Sequence, residues 1–197
     1  FDGDGQTSPL VTVQEDRGEV PFEQLDEIIA QIPSFRERIT SYADFANRSL
    51  AELFDPARLD SALQKEVNEL RSMVLMSRDD GGFDQIPLPF EAQLFPVMAI
   101  QSGDFDSDGI TDIVLGGNLH SVKPSYGGRL DAGFGLYLKG LGNGSFDTFH
   151  FNESGLFAPG ELRAIDFVRL AGSEKFDHLL IARNDDTPLF FRINRTD

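Results

Sequence analysis

Asp104-Phe105-Asp106-Ser107-Asp108-Gly109-Ile110-Thr111-Asp112 places carboxylates at positions 1, 3, 5 and 9 of a short loop and glycine at position 6. In a tightly turned loop that alternation aims every second side chain at one centre, and the glycine permits the sharp turn. Hard oxygen donors in this pattern suit Ca²⁺. The competing reading is a solvated acidic turn that binds nothing.

The flanks decide which kind of loop this is. Val97-Met98-Ala99-Ile100 precedes it and Ile113-Val114-Leu115 follows; both are short, apolar and partly β-branched, so they read as strands. An EF-hand needs flanking helices and a bidentate Glu at position 12, where this chain has Leu115. A strand–loop–strand site is therefore expected.

Self-comparison extends the pattern. A gapless shift of 65 lays Ala99-Ile100 on Ala164-Ile165, Asp112 on Asp177 and Val114-Leu115 on Leu179-Leu180. A shift of 63 lays Leu75 to Asp84 on Leu138 to Asp147, with Gly81 on Gly144. A shift of 104 brings Asp106 and Asp108 onto Asp2 and Asp4, and Asp112 onto Ser8. This excess over one repeat predicts an insertion near residues 22–66, where the apolar spacing turns helical. Leu25, Ile28, Ile29 and Ile32 share a face, and Pro33 ends that helix. Ser34 is expected to cap a helix from Phe35 to Ile39, and Ser49 to lead one with Leu50, Leu53 and Phe54. Asp55-Pro56 opens a helix carrying Leu59, Leu63 and Val67. Further strands are expected at Ser72–Met76, Phe83–Leu88, Leu136–Leu138, Phe146–Phe151, Arg163–Leu170, Leu179–Ala182 and Leu189–Ile193.

Asp104 to Leu115, preceded by a strand and followed by Gly116-Gly117-Asn118, resembles the FG-GAP/VCBS repeat of integrin-α-type β-propellers. The wider layout resembles the tail of bacterial FG-GAP proteins of the ASPIC/UnbV type. That likeness rests on Pro33-Ser34-Phe35, Ser41-Tyr42-Ala43-Asp44-Phe45, Leu50-Ala51-Glu52-Leu53-Phe54, Pro89 to Pro96 and Asn118 to Tyr126. The resemblance implies a Ca²⁺ held by Asp104, Asp106, Asp108, Asp112 and the Ile110 carbonyl. The first copy keeps only Asp2 and Asp4, with Ser8 at position 9, and makes a weaker second site. The expected fold is mainly β: a β-propeller fragment spanning residues 1–197, with about three blade-like units, a helical insertion at 22–66 and repeats through 67–197.

Composition narrows the function. A net charge of −16 argues against nucleic-acid and anionic-membrane partners. Without cysteine there is no disulfide, thiol chemistry or zinc thiolate site, and no apolar run approaches the ~20 residues that span a bilayer. The opening Phe1-Asp2-Gly3-Asp4-Gly5 reads as the middle of a loop, so the chain is expected to be part of a longer protein, its remaining blades supplied by further sequence or an oligomer. His120, His150 and His178 lie far apart and no nucleophile or phosphate motif appears, so an enzyme is not expected. The expected role is an extracytoplasmic binding or adhesion scaffold for a protein or glycan. Calcium sites of extracellular modules bind at about 10⁻⁴–10⁻³ M, which matches calcium outside cells. Two alternatives are a carbohydrate-binding or carbohydrate-active loop at 118–131, using Asn118, His120, Lys123, Tyr126 and Arg129, and partner docking through the helical insertion.

Overall fold

The computed structural model describes residues 7–172 and 177–194 and divides the chain into two compact units, Phe1–Val67 and Asn68–Asp197. Asp2 and Asp4 lie outside the described residues; Ser8 is half-buried ahead of the first strand.

In the first unit, β1 (Thr12–Glu15) and β2 (Gly18–Pro21) form an antiparallel hairpin. Helices α1 (Leu25–Gln31), α2 (Tyr42–Ala46), α3 (Leu50–Leu53) and α4 (Pro56–Ser61) follow, all within the predicted helical span. The apolar stripe of α1 is buried, and Leu25, Ile28, Ile32, Phe35, Ile39, Leu50, Leu53 and Phe54 make one core in which Phe35 stacks on Phe54 at 5.2 Å. Ser49 and Glu52 cap α3 reciprocally, and the Asp55 carboxylate accepts from Ala57 N–H at the start of α4.

Two helix predictions need correction. Ser34 caps nothing, because a 3₁₀ turn over Pro33–Glu37 begins one residue earlier; proline's fixed φ starts it. Helix α4 stops at Ser61, leaving Leu63 and Val67 exposed. A stripe left in water gains nothing from packing, and propensity alone does not hold so short a helix.

The second unit is built from three antiparallel meanders. A hairpin pairs β3 (Met73–Ser77) with β4 (Phe83–Pro87). A four-stranded sheet runs in chain order through β5 (Val97–Gly103), β6 (Asp112–Gly117), β7 (Leu136–Gly140) and β8 (Phe146–Phe149). A three-stranded sheet joins β9 (Leu162–Val168), β10 (His178–Arg183) and β11 (Leu189–Arg192). The chain is mainly β in several small antiparallel sheets; among the described residues no closed barrel or propeller forms.

The 63-residue repeat holds to the level of register. Leu75 pairs with Gln85 and Met76 with Asp84, as Leu138 pairs with Thr148 and Lys139 with Asp147. Both turns close in one way: the Asp80 carboxylate accepts from Gly82 N–H and the Asn143 amide oxygen from Ser145 N–H. The residue between donor and acceptor is a glycine at φ +81° and +82°, which a side chain resists.

The 65-residue repeat is not gapless. Ile100 pairs with Leu115 and Ile165 with Ile181, so an offset of 65 on the first strand (165 − 100) becomes 66 on the second (181 − 115). His178, paired with Val168, therefore stands where Asp112, paired with Gly103, stands in the central sheet, and Asp177 falls one residue short. The predicted strand to Phe151 ends at Phe149. His150 and Glu153 cap a short helix α5 (Phe151–Ser154), which Gly155 terminates in the left-handed conformation.

The central sheet is covered on both faces. On one, Ala99, Val114 and Tyr137 meet Leu162, Ile165, Leu179 and Ile181 of the last sheet. The sheets approach so closely that a Cβ on Gly116 would lie 2.5 Å from Leu162. On the other face, Leu115, Leu136 and Leu138 meet Ala92 and Phe95, from the segment linking β4 to β5.

Candidate metal centre

Pairing of Gly103 with Asp112 closes the base of the acidic loop, and the loop then winds around its own first carboxylate. Asp104 Oδ1 accepts from the N–H of Ser107 at 2.7 Å and of Asp108 at 3.2 Å, while Oδ2 accepts from Gly109 N–H at 3.0 Å. Asp106 Oδ1 accepts from Asp108 N–H, and Asp108 Oδ1 from Ile110 N–H at 2.8 Å. Each carboxylate thus faces the loop centre with backbone dipoles behind it.

Asp104, Asp106 and Asp108 each offer a carboxylate oxygen within 4.8 Å of the others. Ligands on opposite sides of one Ca²⁺, each at about 2.3–2.6 Å, lie up to about 5 Å apart, so this trio fits a single coordination sphere. Clustered surface carboxylates also occur without a metal, and here a protein cation already faces them. Lys139 Nζ, from β7, contacts Asp106 Oδ2 and lies 2.9 Å from Asp108 Oδ2. Its hydrogen bond holds the Asp108 carboxyl below the usual range. Asp106, and then Asp108, hold the ammonium above its own.

Asp112 stands apart from the trio. It is fully buried; Oδ2 accepts from Phe105 N–H and the Tyr137 hydroxyl, each at 3.0 Å, and Oδ1 from Gly140 N–H at 2.8 Å. Its carboxylate thereby ties the loop to β7. Burial, then the hydrogen bond to Asp112, pushes the Tyr137 phenol far above its ordinary value. Ile110 is fixed through its N–H, and its carbonyl belongs to the proposal below.

The loop at 118–131 is pinched at its base by paired backbone hydrogen bonds between Leu119 and Leu130. Asn118 is turned inward: Nδ2 donates to the carbonyls of Gly133 and Gly160 at 2.6 and 2.8 Å, and Oδ1 accepts from Gly133 N–H at 2.9 Å. His120 Nδ1 lies 3.2 Å from Arg129, which also reaches Asp131 at 3.6 Å, and Lys123 sits over the Tyr126 ring at 5.7 Å. The five residues thus fall into a buried brace and two local pairs.

Glu161 anchors this loop and is not singled out by any sequence motif. Oε1 accepts from His120 N–H and the Arg163 guanidinium, both at 2.8 Å, and Oε2 from Asn184 Nδ2 at 2.7 Å. The Asn184 and His120 donors lower its carboxyl from 4.5 to about 2. A lowered acid stabilises the fold fully above its unfolded value and loses that contribution as pH falls toward the folded one. Glu161→Gln is therefore expected to melt below the wild type at pH 7, with the gap narrowing between pH 4.5 and about 2. Thermal melts across that range check this; a pH-independent gap would contradict it.

Lys139 also escapes motif reading, although the repeat marks it. Between the two registered hairpins, Met76 against Lys139 is the strand position where charge changes. No protein-family model matches this chain, and no curated protein or solved structure matches it either.

Proposed function

We propose that this chain is a calcium-binding β-propeller repeat module that serves as an extracytoplasmic scaffold for binding or adhesion. The observation that carries the reading is the convergence of Asp104, Asp106 and Asp108 within 4.8 Å at one end of a four-stranded meander. Support comes from the register-true hairpin repeat, the front-to-back packing of successive sheets and the FG-GAP/VCBS likeness of residues 104–115. The three carboxylates would hold the ion, with the Ile110 carbonyl and water completing six to eight oxygens. Bound metal pins the loop and neutralises its repulsion. An affinity of about 10⁻⁴–10⁻³ M places the module where calcium is abundant, outside the cytoplasm.

In this reading Lys139 is the loop's internal counter-charge, and a divalent ion has to displace it. Calorimetric titration with Ca²⁺ tests this. Lys139→Met is expected to bind roughly 3- to 10-fold more tightly than the wild type, because the competing ammonium is gone. Asp108→Asn is expected to bind weakly or not at all. Absence of binding heat in both wild type and Lys139→Met would remove the metal reading.

A further inference from the structure

The repeat assigns neighbours to residues that this chain leaves bare. Leu75 is 54% exposed, whereas Leu138, its equivalent in register, is 0% exposed beneath the preceding segment. Phe83 is likewise exposed, while its equivalent Phe146 packs against the core. On the first strands, Ile100 is 62% exposed and Ile165 only 6%. These positions form the back of the stack, the side that in the last sheet is pressed against its predecessor.

The front shows the same contrast. Val114, paired with Tyr137, is 2% exposed and faces the last sheet; the matching pair one sheet later is Leu180 with Phe190, 40% and 50% exposed. Thus the chain contains one complete front-to-back interface and, at its two ends, the two halves of another. Apolar faces of this kind rarely stay in water.

From this continuity with the internal interface we infer that the chain binds a second copy of itself head to tail, the Leu180/Phe190 front of one molecule against the Leu75/Phe83/Ile100 back of the next. The contact is heterologous, because different surfaces meet on the two partners. The inference rests on the repeat reading and not on the metal. It is tested in EGTA, so failure of calcium binding leaves it standing.

Sedimentation equilibrium at physiological salt, where screening limits repulsion between molecules of charge −16, provides the test. The wild type is expected to rise with concentration above the monomer mass of 21.8 kDa. Ile100→Glu and Leu180→Glu, both at exposed positions, are each expected to remain monomeric, with melting temperatures like the wild type. Their equimolar mixture is expected to form a dimer, because each variant keeps the face that the other lost. Should one variant melt early, Leu75→Glu or Phe190→Glu replaces it on the same face. A wild type that stays monomeric, single variants that associate like the wild type, or a mixture that remains monomeric would each overturn the inference. Association by Ile100→Glu alone would instead mark a front-to-front contact, and it too would overturn the head-to-tail arrangement.

Discussion

Replacing Asp112 with alanine is expected to cost roughly 3–5 kcal/mol, because two buried backbone N–H groups and a hydroxyl lose their acceptor together. The donors are Phe105 N–H, Gly140 N–H and Tyr137 O–H. That cost is a large part of the ~5–15 kcal/mol that holds a domain folded. It should appear in full in EGTA, because every partner belongs to the protein. Asp108→Asn, on the exposed rim of the loop, is expected to change metal-free stability by under about 1 kcal/mol. Urea unfolding of both variants with and without Ca²⁺ separates the roles. If Asp112→Ala were harmless in EGTA and destabilising only with Ca²⁺, Asp112 would be acting chiefly as a metal ligand.

Asn118→Ala is expected to lose roughly 2–4 kcal/mol for two separable reasons. The substitution removes three hydrogen bonds, to the two polar groups of Gly133 and to the Gly160 carbonyl. It also forces alanine into φ +79°, which asparagine tolerates better. Asn118→Gly restores the conformational freedom but not the hydrogen bonds, so it should recover only part of the loss. If the glycine variant recovered everything, the amide contacts would be incidental. If Asn118→Ala were silent, Asn118 would not brace this loop.

These residues mark where the sequence is legible. Strands at Val97–Ile100, Ile113–Leu115 and Leu136–Leu138 are plain because local apolar runs end at turn residues. The hairpin at Gly142-Asn143-Gly144 is equally plain, because its turn chemistry is local. The trio Asp104, Asp106 and Asp108 is legible for the same reason: its spacing alone brings it together. Asp112 is harder. Position 9 reads as a ligand, but its scaffold partners Tyr137 and Gly140 lie 25 and 28 residues further on. Lys139 reaches Asp106 across 33 residues, and His120 reaches Glu161 across 41. Contacts of that range follow from how strands pair, which no single stretch records. Leu63 and Val67 fail in the opposite direction: their helical spacing is real, but the helix ends at Ser61 and leaves both exposed.

Thermal melting with and without calcium tests most directly whether the three aspartates converge on a divalent ion. For a site of Kd about 10⁻⁴–10⁻³ M, about 10 mM Ca²⁺ stabilises the folded state by roughly 1.4–2.7 kcal/mol. The wild type should therefore melt roughly 4–10 °C higher in Ca²⁺ than in EGTA. An Asp106→Asn/Asp108→Asn variant should melt at one temperature in both. Identical melting of the wild type in Ca²⁺ and EGTA, or an equal calcium shift in the double variant, would contradict the account.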